Sequence, residues 1–442
     1  MTAKIPYLTM RLFILLASLT VLFVGGYFLP MLAAVAKAGL YAVILLVVID
    51  GLLLYRTDKG ITARREMAER LSNGDDNEIK IHLANAYRFT VAADIIDELP
   101  FQFQARDRVI KMALAAGEVK TLTYSLRPVE RGEYHFGAIN VYAASPLGLV
   151  SRRFIHAQAR TTPVYPSYLQ MRRYELYAVS NRLAEAGIKK VRRLGHTLEF
   201  EQIRDYVSGD DYRTINWKAT AHTGKPMVNQ YDDEKSQQVY SVIDMGRVMK
   251  MPFAGMSLLD YAINAGLVIS NIAIHRQDRA GLITFSNVPG AMVPADRKAT
   301  QMARILEVLY NQETRYLESN YELLLGTIKR RIRRRSLILL FTNFETLLSL
   351  QRQLPFLRSI AGHHLLVAVF FENTELAAML DRPVATTEEI YLQVIAEKFA
   401  FEKRQIVKEL QRYGVQAILT APQNLTVNTI NKYLELKARG AI

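Results

Sequence analysis

The chain has 442 residues, 50% of them hydrophobic and 22% charged, with a formal net charge of +14. It contains no cysteine, which excludes thiol catalysis, Cys-ligated zinc and disulfides and agrees with a cytosolic setting. Once any membrane segment is set aside, enough chain remains for two ordinary domains.

Two apolar stretches come first, at residues 12–29 and 38–55, the second interrupted only by Asp50. As a helix each would be roughly 27 Å long, close to the hydrocarbon thickness of a bilayer. The pattern predicts a transmembrane helical hairpin over residues 12–55, with Pro30 and Lys37 in its turn. Lys4 and Arg11 precede the first span, and Arg56, Lys59, Arg64, Arg65 and Arg70 follow the second. Basic flanks stay in the cytoplasm, so residues 1–11 and the bulk of the chain are expected there, under the inner membrane. A cleaved signal peptide is the alternative for the first stretch. That stretch is too long for one, lacks a well-placed small-x-small site, and is followed at once by a second span. Asp50 is expected near the interface, where a carboxylate costs least, or in contact with another membrane helix.

Residues 56–72 are charged and predict a juxtamembrane helix. From about Asn77 the period changes to two. Ile79, Ile81 and Leu83 alternate with polar residues, as do Leu122, Tyr124 and Leu126, then Tyr134 and Phe136. Gly137 shifts the phase as a bulge would, and Ile139, Val141 and Ala143 resume it. This predicts an antiparallel β-sandwich over residues 73–159. Residues 160–234 are an irregular, charged and aromatic connector. From residue 235 to 442, short apolar runs at 239–243, 281–285, 337–341, 365–371 and 415–419 alternate with helical patterns. Those patterns cover 258–275, 300–310, 321–334 and 388–413, the last opened by a capping box of Thr386 and Glu389 and closed by Gly414. Wholly apolar strands separated by helices predict a parallel sheet covered on both faces.

Two basic clusters stand out. They are Lys189, Lys190, Arg192 and Arg193, and the run Lys329, Arg330, Arg331, Arg333, Arg334 and Arg335. Solvated helix ends or attraction to anionic membrane lipid account for them. Neither carries interleaved aromatics, and no helix-turn-helix, zinc-finger or RNP pattern accompanies them, so no nucleic-acid partner is expected.

Residues 199–218, EFEQIRDYVSGDDYRTINWK, are the most specific stretch and hold the only tryptophan, Trp217. Ser208, Gly209, Asp210 and Asp211 form a turn by composition. Charges of both signs around a turn and an aromatic anchor predict a mutually satisfied, partly buried network. Here the chain resembles domain-of-unknown-function family 58, membrane-anchored proteins associated with MoxR-type AAA+ ATPases and carrying a von Willebrand A-like domain. The matching residues are Gly195, Glu199, Phe200, Ile203, Arg204, Tyr206, Gly209, Asp210, Arg213, Ile215 and Trp217. Upstream, Tyr124, Pro128, Arg131 to Tyr134 and Ser145 to Leu149 look like the ending of the family's β-domain. His222 stands where the pattern usually carries arginine.

The resemblance implies a membrane partner or adaptor for a MoxR-type AAA+ ATPase, of the kind thought to assemble, metallate or remodel other proteins. It also implies a place to look for Mg²⁺. A von Willebrand A domain holds the ion with an Asp-x-Ser-x-Ser loop, a threonine and a further aspartate. This chain keeps Asp244 but has Gly246 and Val248 for the serines and Asn343 for the second aspartate, with Arg247 adding positive charge. The metal site is therefore read as degenerate, with Asp244 and Asn343 satisfying backbone amides. The same strand ends, joined by Glu372, Asn373 and Thr374, remain a candidate face for a protein partner.

Enzyme motifs fail one by one. Gly224 and Lys225 are followed by proline rather than completing a Walker A loop, and Gly255-Met256-Ser257 does not continue as a nucleophile elbow. The eight histidines include no HExxH, and the adjacent pair His363 and His364 would face opposite ways. No catalytic residue and no cofactor is expected. The expected fold is α/β plus all-β: a two-helix transmembrane hairpin, an antiparallel β-sandwich, and a doubly wound parallel-sheet von Willebrand A-like domain. The expected role is a non-enzymatic, membrane-tethered adaptor for a MoxR-type ATPase. The first alternative is an ATPase-independent envelope scaffold binding other membrane or envelope proteins; a remote one is a hydrolase or transferase using signature carboxylates. Glu199, Phe200, Arg204, Tyr206, Gly209, Asp210, Arg213 and Trp217 are the expected partner or interdomain residues.

Overall fold

The computed structural model describes residues 6–58, 60–105, 108–179, 187–188, 199–208, 210–232, 236–380 and 386–441. It is a mixed α/β chain that divides into two compact units, Met1–Tyr165 and Pro166–Ile442.

The first unit opens with β1 (Tyr7–Leu8), then α1 (Met10–Phe28) and α2 (Pro30–Tyr55). Both helices are long and apolar enough to cross a membrane, with mean hydropathies of 1.9 and 2.5. The expected turn between Pro30 and Lys37 shrinks to Leu29. Pro30 sits at the start of α2, where its missing N–H costs nothing, and the alanines that follow favour helix. Small residues let the two helices approach closely. A Cβ on Gly26 would meet the Ala33 backbone at 2.9 Å, and one on Gly39 would meet Leu19 at 2.9 Å.

The juxtamembrane helix expected over residues 56–72 is absent. The chain instead enters β2 (Ile61–Glu66) and β3 (Leu71–Ser72). The reason is a period of two: Ile61 and Ala63 are buried while Thr62 and Arg64 are exposed. Arg65 turns inward and is paired with Asp97, so its charge does not demand a solvated helix. The strands that follow are β4 (Asn77–Asn85), β5 (Val91–Asp97), β6 (Val109–Leu114), β7 (Val119–Leu126), β8 (Gly132–Phe136), β9 (Ile139–Ala144), β10 (Val150–His156) and β11 (Arg160–Tyr165). They form a five-stranded sheet ordered β1-β10-β9-β5-β6 and three-stranded sheets ordered β2-β4-β7 and β3-β11-β8. Ile79, Ile81 and Leu83 of β4 share one core with Val91, Ala93 and Ile95 of β5 and with Leu54 of α2. Gly137 is not a bulge within one strand. It marks the place where the chain leaves β8, in one sheet, for β9, in another, and a Cβ there would collide with Glu98.

The second unit begins with α3 (Tyr168–Val179), followed by the antiparallel pair β12 (Glu199–Asp205) and β13 (Met227–Asp232), with α4 (Trp217–Thr223) between them. Then come β14 (Gln238–Asp244), the two-residue strands β15 (Pro252–Phe253) and β16 (Met256–Ser257), α5 (Leu258–His275), β17 (Arg279–Phe285), β18 (Pro289–Asp296), α6 (Gln301–Tyr310) and α7 (Tyr321–Arg331). The chain ends with β19 (Leu337–Phe341), α8 (Leu347–Ala361), β20 (Leu365–Phe371), α9 (Thr374–Leu380), α10 (Thr387–Arg412), β21 (Gln416–Thr420) and α11 (Leu425–Ala438). One six-stranded sheet ordered β18-β17-β14-β19-β20-β21 runs through the unit, parallel except at β18. Alternate residues of β14 enter opposite cores. Val239 and Ile243 pack with α5 and α11, while Tyr240 and Val242 pack with α7, α8 and α10. Helix α5 has a membrane-like composition but is 83% buried over its apolar window, so it serves as the core helix of this unit. Thr386 and Glu389 form the expected reciprocal cap of α10, and Gly414 takes the left-handed conformation expected of it, at φ 77°.

Candidate functional site

The signature folds as a small hairpin. Arg204, in β12, makes a two-pronged pair with Asp210, Nη1 to Oδ2 at 2.8 Å and Nη2 to Oδ1 at 2.7 Å. Asp210 also accepts from the Val207 amide at 3.0 Å, which closes the turn. The Arg204 guanidinium and then this amide hold the Asp210 carboxyl below its ordinary value. Asp211 caps a 3-10 turn at Tyr212–Thr214 by accepting from Arg213 N at 3.0 Å. Asn216 caps α4 through Ala219 N at 3.0 Å. Glu199 and Phe200 lie opposite Asp232 and Tyr231 in the β12–β13 pair. Gly195 and Gly209 lie outside the described residues.

The charges pair in a partly buried way, as the sequence suggested, but Trp217 does not anchor them. It is 72% exposed, Tyr212 is 69% exposed, and Val207 and Tyr206 are exposed beside them in the sequence. The physical reason is that α4 has only seven residues, none of them buried, and lies beside a two-stranded ribbon rather than a full sheet. Polar pairing braces the hairpin from within and leaves its aromatics in solvent.

A second constellation sits at the carboxyl end of β14. Asp244 is buried and accepts from Gly246 N at 2.8 Å, Thr342 Oγ1 at 2.7 Å, Tyr321 Oη at 3.4 Å and Ser319 Oγ. Burial raises its pKa, and the hydroxyls and amide only partly offset that. The expectation that Asp244 satisfies backbone amides therefore captures one donor of the four. Gly246 is needed because a Cβ there would collide with Ser319 Oγ, so the hydroxyl missing from the loop arrives from the segment before α7. Val248 packs against the core. Asn343 does not reach a backbone amide. Its Oδ1 accepts from Lys403 Nζ of α10 at 2.7 Å. One carboxylate, three hydroxyls and a neighbouring ammonium do not fit a divalent cation, which asks for more negative charge. Ser319, Tyr321 and Lys403 were missed by sequence reasoning, since nothing local marks them. Thr342 was at least signalled by its place directly after an apolar strand.

Beside this cluster lies a cavity of about 640 Å³ at the carboxyl ends of β19, β20 and β21. Phe253, Leu258, Leu376, Leu380 and Phe399 supply apolar wall, and Asn343, Lys403 and Arg404 supply nitrogen. Glu372 and Asn373, expected at the strand-end face, line it as well. Burial lowers the Lys403 pKa to about 8 against the opposing pull of Glu345.

Residues 202–378 match the family model described as Protein of unknown function DUF58. That stretch runs from within β12 to α9 and takes in the signature from Gln202 onward and Asp244, but not Glu199, Phe200 or Lys403. Uncharacterized protein YeaD of Bacillus subtilis is 26% identical over 213 residues, 46% of this chain and 52% of the relative. Uncharacterized protein Rv1480 of Mycobacterium tuberculosis is 24% identical over 168 residues, 38% of this chain and 52% of the relative. The chain thus spans about half the length of the curated relatives it matches. Among solved structures, the CARDB domain of PF1109 from Pyrococcus furiosus superposes with a TM-score of 0.17 and 14% identity, over 24% of this chain and 86% of that one. PapD-like domain 7 of human CEP192 gives 0.17 and 12%, over 24% and 83%. Likenesses of that size carry no argument about fold or function.

In the first unit, Asp50 is fully buried near the end of α2. It accepts from Leu149 N and Val150 N, both at 2.8 Å, and from Ser145 Oγ. Ser145 and Leu149 belong to the turn between β9 and β10, the Ser-Pro-Leu-Gly-Leu segment of the sequence, and Val150 opens β10. Arg152 adds Nη1 bonds to Leu54 O and Thr57 O, each at 2.7 Å. The end of α2 is therefore fastened into the sheets. Of the basic clusters, 189–193 lies outside the described residues. Lys329, Arg330, Arg331, Arg333, Arg334 and Arg335 are exposed at the end of α7, as a solvated helix end would be.

Proposed function

We propose that this chain is a non-enzymatic adaptor, tethered in the inner membrane by α1 and α2 with both termini cytosolic. Its partner is a MoxR-type AAA+ ATPase that acts in the assembly or maturation of other proteins. The first unit is read as an antiparallel β-sandwich, and the second as a von Willebrand A-like domain whose metal loop has been replaced by a hydroxyl cluster. The observation that supports the reading best is the signature hairpin, which leaves Trp217 and Tyr212 72% and 69% exposed. Tryptophan, tyrosine and arginine dominate the energetics of protein interfaces. The braced Arg204–Asp210 pair keeps that surface in one shape, which lowers the entropy lost on binding.

Affinity capture of the tagged, detergent-solubilised protein from native membranes, with and without ATP, tests this by mass spectrometry. A nucleotide-dependent AAA+ ATPase among the captured proteins is the expected result. Envelope proteins alone, with no ATPase in either condition, would contradict it and favour the scaffold.

A further inference from the structure

The cavity on α10 holds a half-buried ammonium against apolar walls. Its volume of about 640 Å³ lies in the range of small-molecule sites. It also opens where open α/β sheets place their ligands, beyond the carboxyl ends of β19, β20 and β21. Lys403 reaches it from α10 and gives one bond, to the neutral amide oxygen of Asn343 at 2.7 Å. The ring of Phe370 lies 5.7 Å from its nitrogen. An ammonium has three donors, and one amide oxygen satisfies one of them.

The other charged residues of the lining are Glu345, Glu372, Glu375 and Arg404, and all four are exposed. Glu345 pulls on Lys403, but no lining carboxylate pairs with it directly, and water screens charges so placed. Half-burying a cation whose nearest carboxylates are exposed and screened leaves it under-compensated, and a ligand that brings one negative charge supplies the missing pairing. A cationic ligand is repelled by Lys403. A phosphate dianion finds a single ammonium and no glycine-rich cradle. A monocarboxylate matches the charge, and the walls of Phe253, Leu258, Leu376, Leu380 and Phe399 match an apolar body.

We propose that this cavity binds a carboxylate borne on an apolar chain, with Lys403 gripping the carboxylate and the α9–α10 wall taking the chain. Two sources supply that chemistry: a free short- or medium-chain acid, and the C-terminal residue of a polypeptide with apolar side chains. The site is independent of the ATPase partner and goes beyond the adaptor reading.

The test is calorimetric titration of the full chain in lipid nanodiscs, with empty nanodiscs as the reference. The probes are hexanoate and N-acetyl-Leu-Phe, each paired with its carboxamide. At least one acid binds saturably, its carboxamide binds at least tenfold more weakly, and Lys403→Met weakens the acid by a similar factor. Leu376→Trp, which fills the cavity and leaves Lys403 in place, abolishes binding. Binding of hexanoate alone identifies a free acid, and binding of the dipeptide alone identifies a polypeptide terminus. No saturable binding of either acid, a carboxamide as tight as its acid, or a folded Lys403→Met with unchanged affinity overturns the proposal. Should Lys403→Met fail to fold, the acid–carboxamide comparison on the parent protein decides.

Discussion

Two buried aspartates, one in each unit, solve the same problem differently. Asp50 is held by two backbone amides and a serine hydroxyl, from the turn between β9 and β10 and the first residue of β10. Asp244 is held by one amide and three hydroxyls, drawn from β14's own loop, the segment before α7, α7 itself and the residue after β19. Backbone amides can only donate, so the Asp50 site demands an acceptor. Hydroxyls can turn and accept instead, so the Asp244 site tolerates a neutral replacement. The first is a rivet between a membrane-type helix and the sheets. The second is a polar plug at the end of a sheet where other chains of similar architecture place ligands.

Removing the rivet should give the largest effect. Each orphaned buried donor costs roughly 1–3 kcal/mol, and Asp50→Leu orphans the Leu149 and Val150 amides together with the Ser145 hydroxyl. Hydrogen exchange at those two amides should accelerate strongly in the full chain, and unchanged protection would show that the rivet carries no weight. Asp244→Ala should come next, at about 2–3 kcal/mol on thermal unfolding, because the hydroxyls can partly pair among themselves and with water. Asp244→Asn should cost less than about 1 kcal/mol, since its oxygen still serves Gly246 N and its amide can donate to the reoriented hydroxyls. Equal losses for the alanine and asparagine variants would break the distinction between the two sites.

The pH dependence sharpens it. Burial raises the Asp244 pKa above 3.8, so the acid binds its proton more tightly in the folded chain. Its contribution is full below the unfolded value and is lost as pH rises through the raised value. Asp244→Asn lacks this titration, so the parent's melting temperature should fall relative to the variant's as pH is taken from about 4 to neutrality. Asp210 has the opposite sign. Its pKa is lowered by Arg204, so the brace is present above 3.8 and is lost only as pH falls through the lowered value. Mg²⁺ at millimolar concentration should leave the melting temperature unmoved. A saturable rise that Asp244→Ala removes would restore the metal site.

Much of the architecture was legible because it is written in local periodicity. The apolar runs that became β14, β17, β19, β20 and β21, and the cap of α10, could be read without any partner. Helix α8 was hidden by Pro355 inside it, and β18 by its own prolines, since proline argues against both elements locally while tertiary packing overrides it. The charged segment after α2 read as helix because exposed arginines dominate it; only pairing with β4 and the burial of Arg65 on Asp97 reveal a strand. The candidate sites were less legible for the same reason. Asp50 meets donors about a hundred residues away, Asp244 meets Ser319, and Asn343 meets Lys403. No spacing rule connects them. The signature was visible as a motif, but its exposure was not, because exposure depends on what the rest of the chain fails to cover.

The reading of the signature as a recognition surface is tested most directly by one double variant, Trp217→Ala with Tyr212→Ala, in the full-length membrane protein. Thermal unfolding and nucleotide-dependent capture of the ATPase should be read on the same preparation. The account predicts a melting temperature close to the parent's with capture lost. A collapsed melting temperature, or undiminished capture by a folded variant, would contradict it.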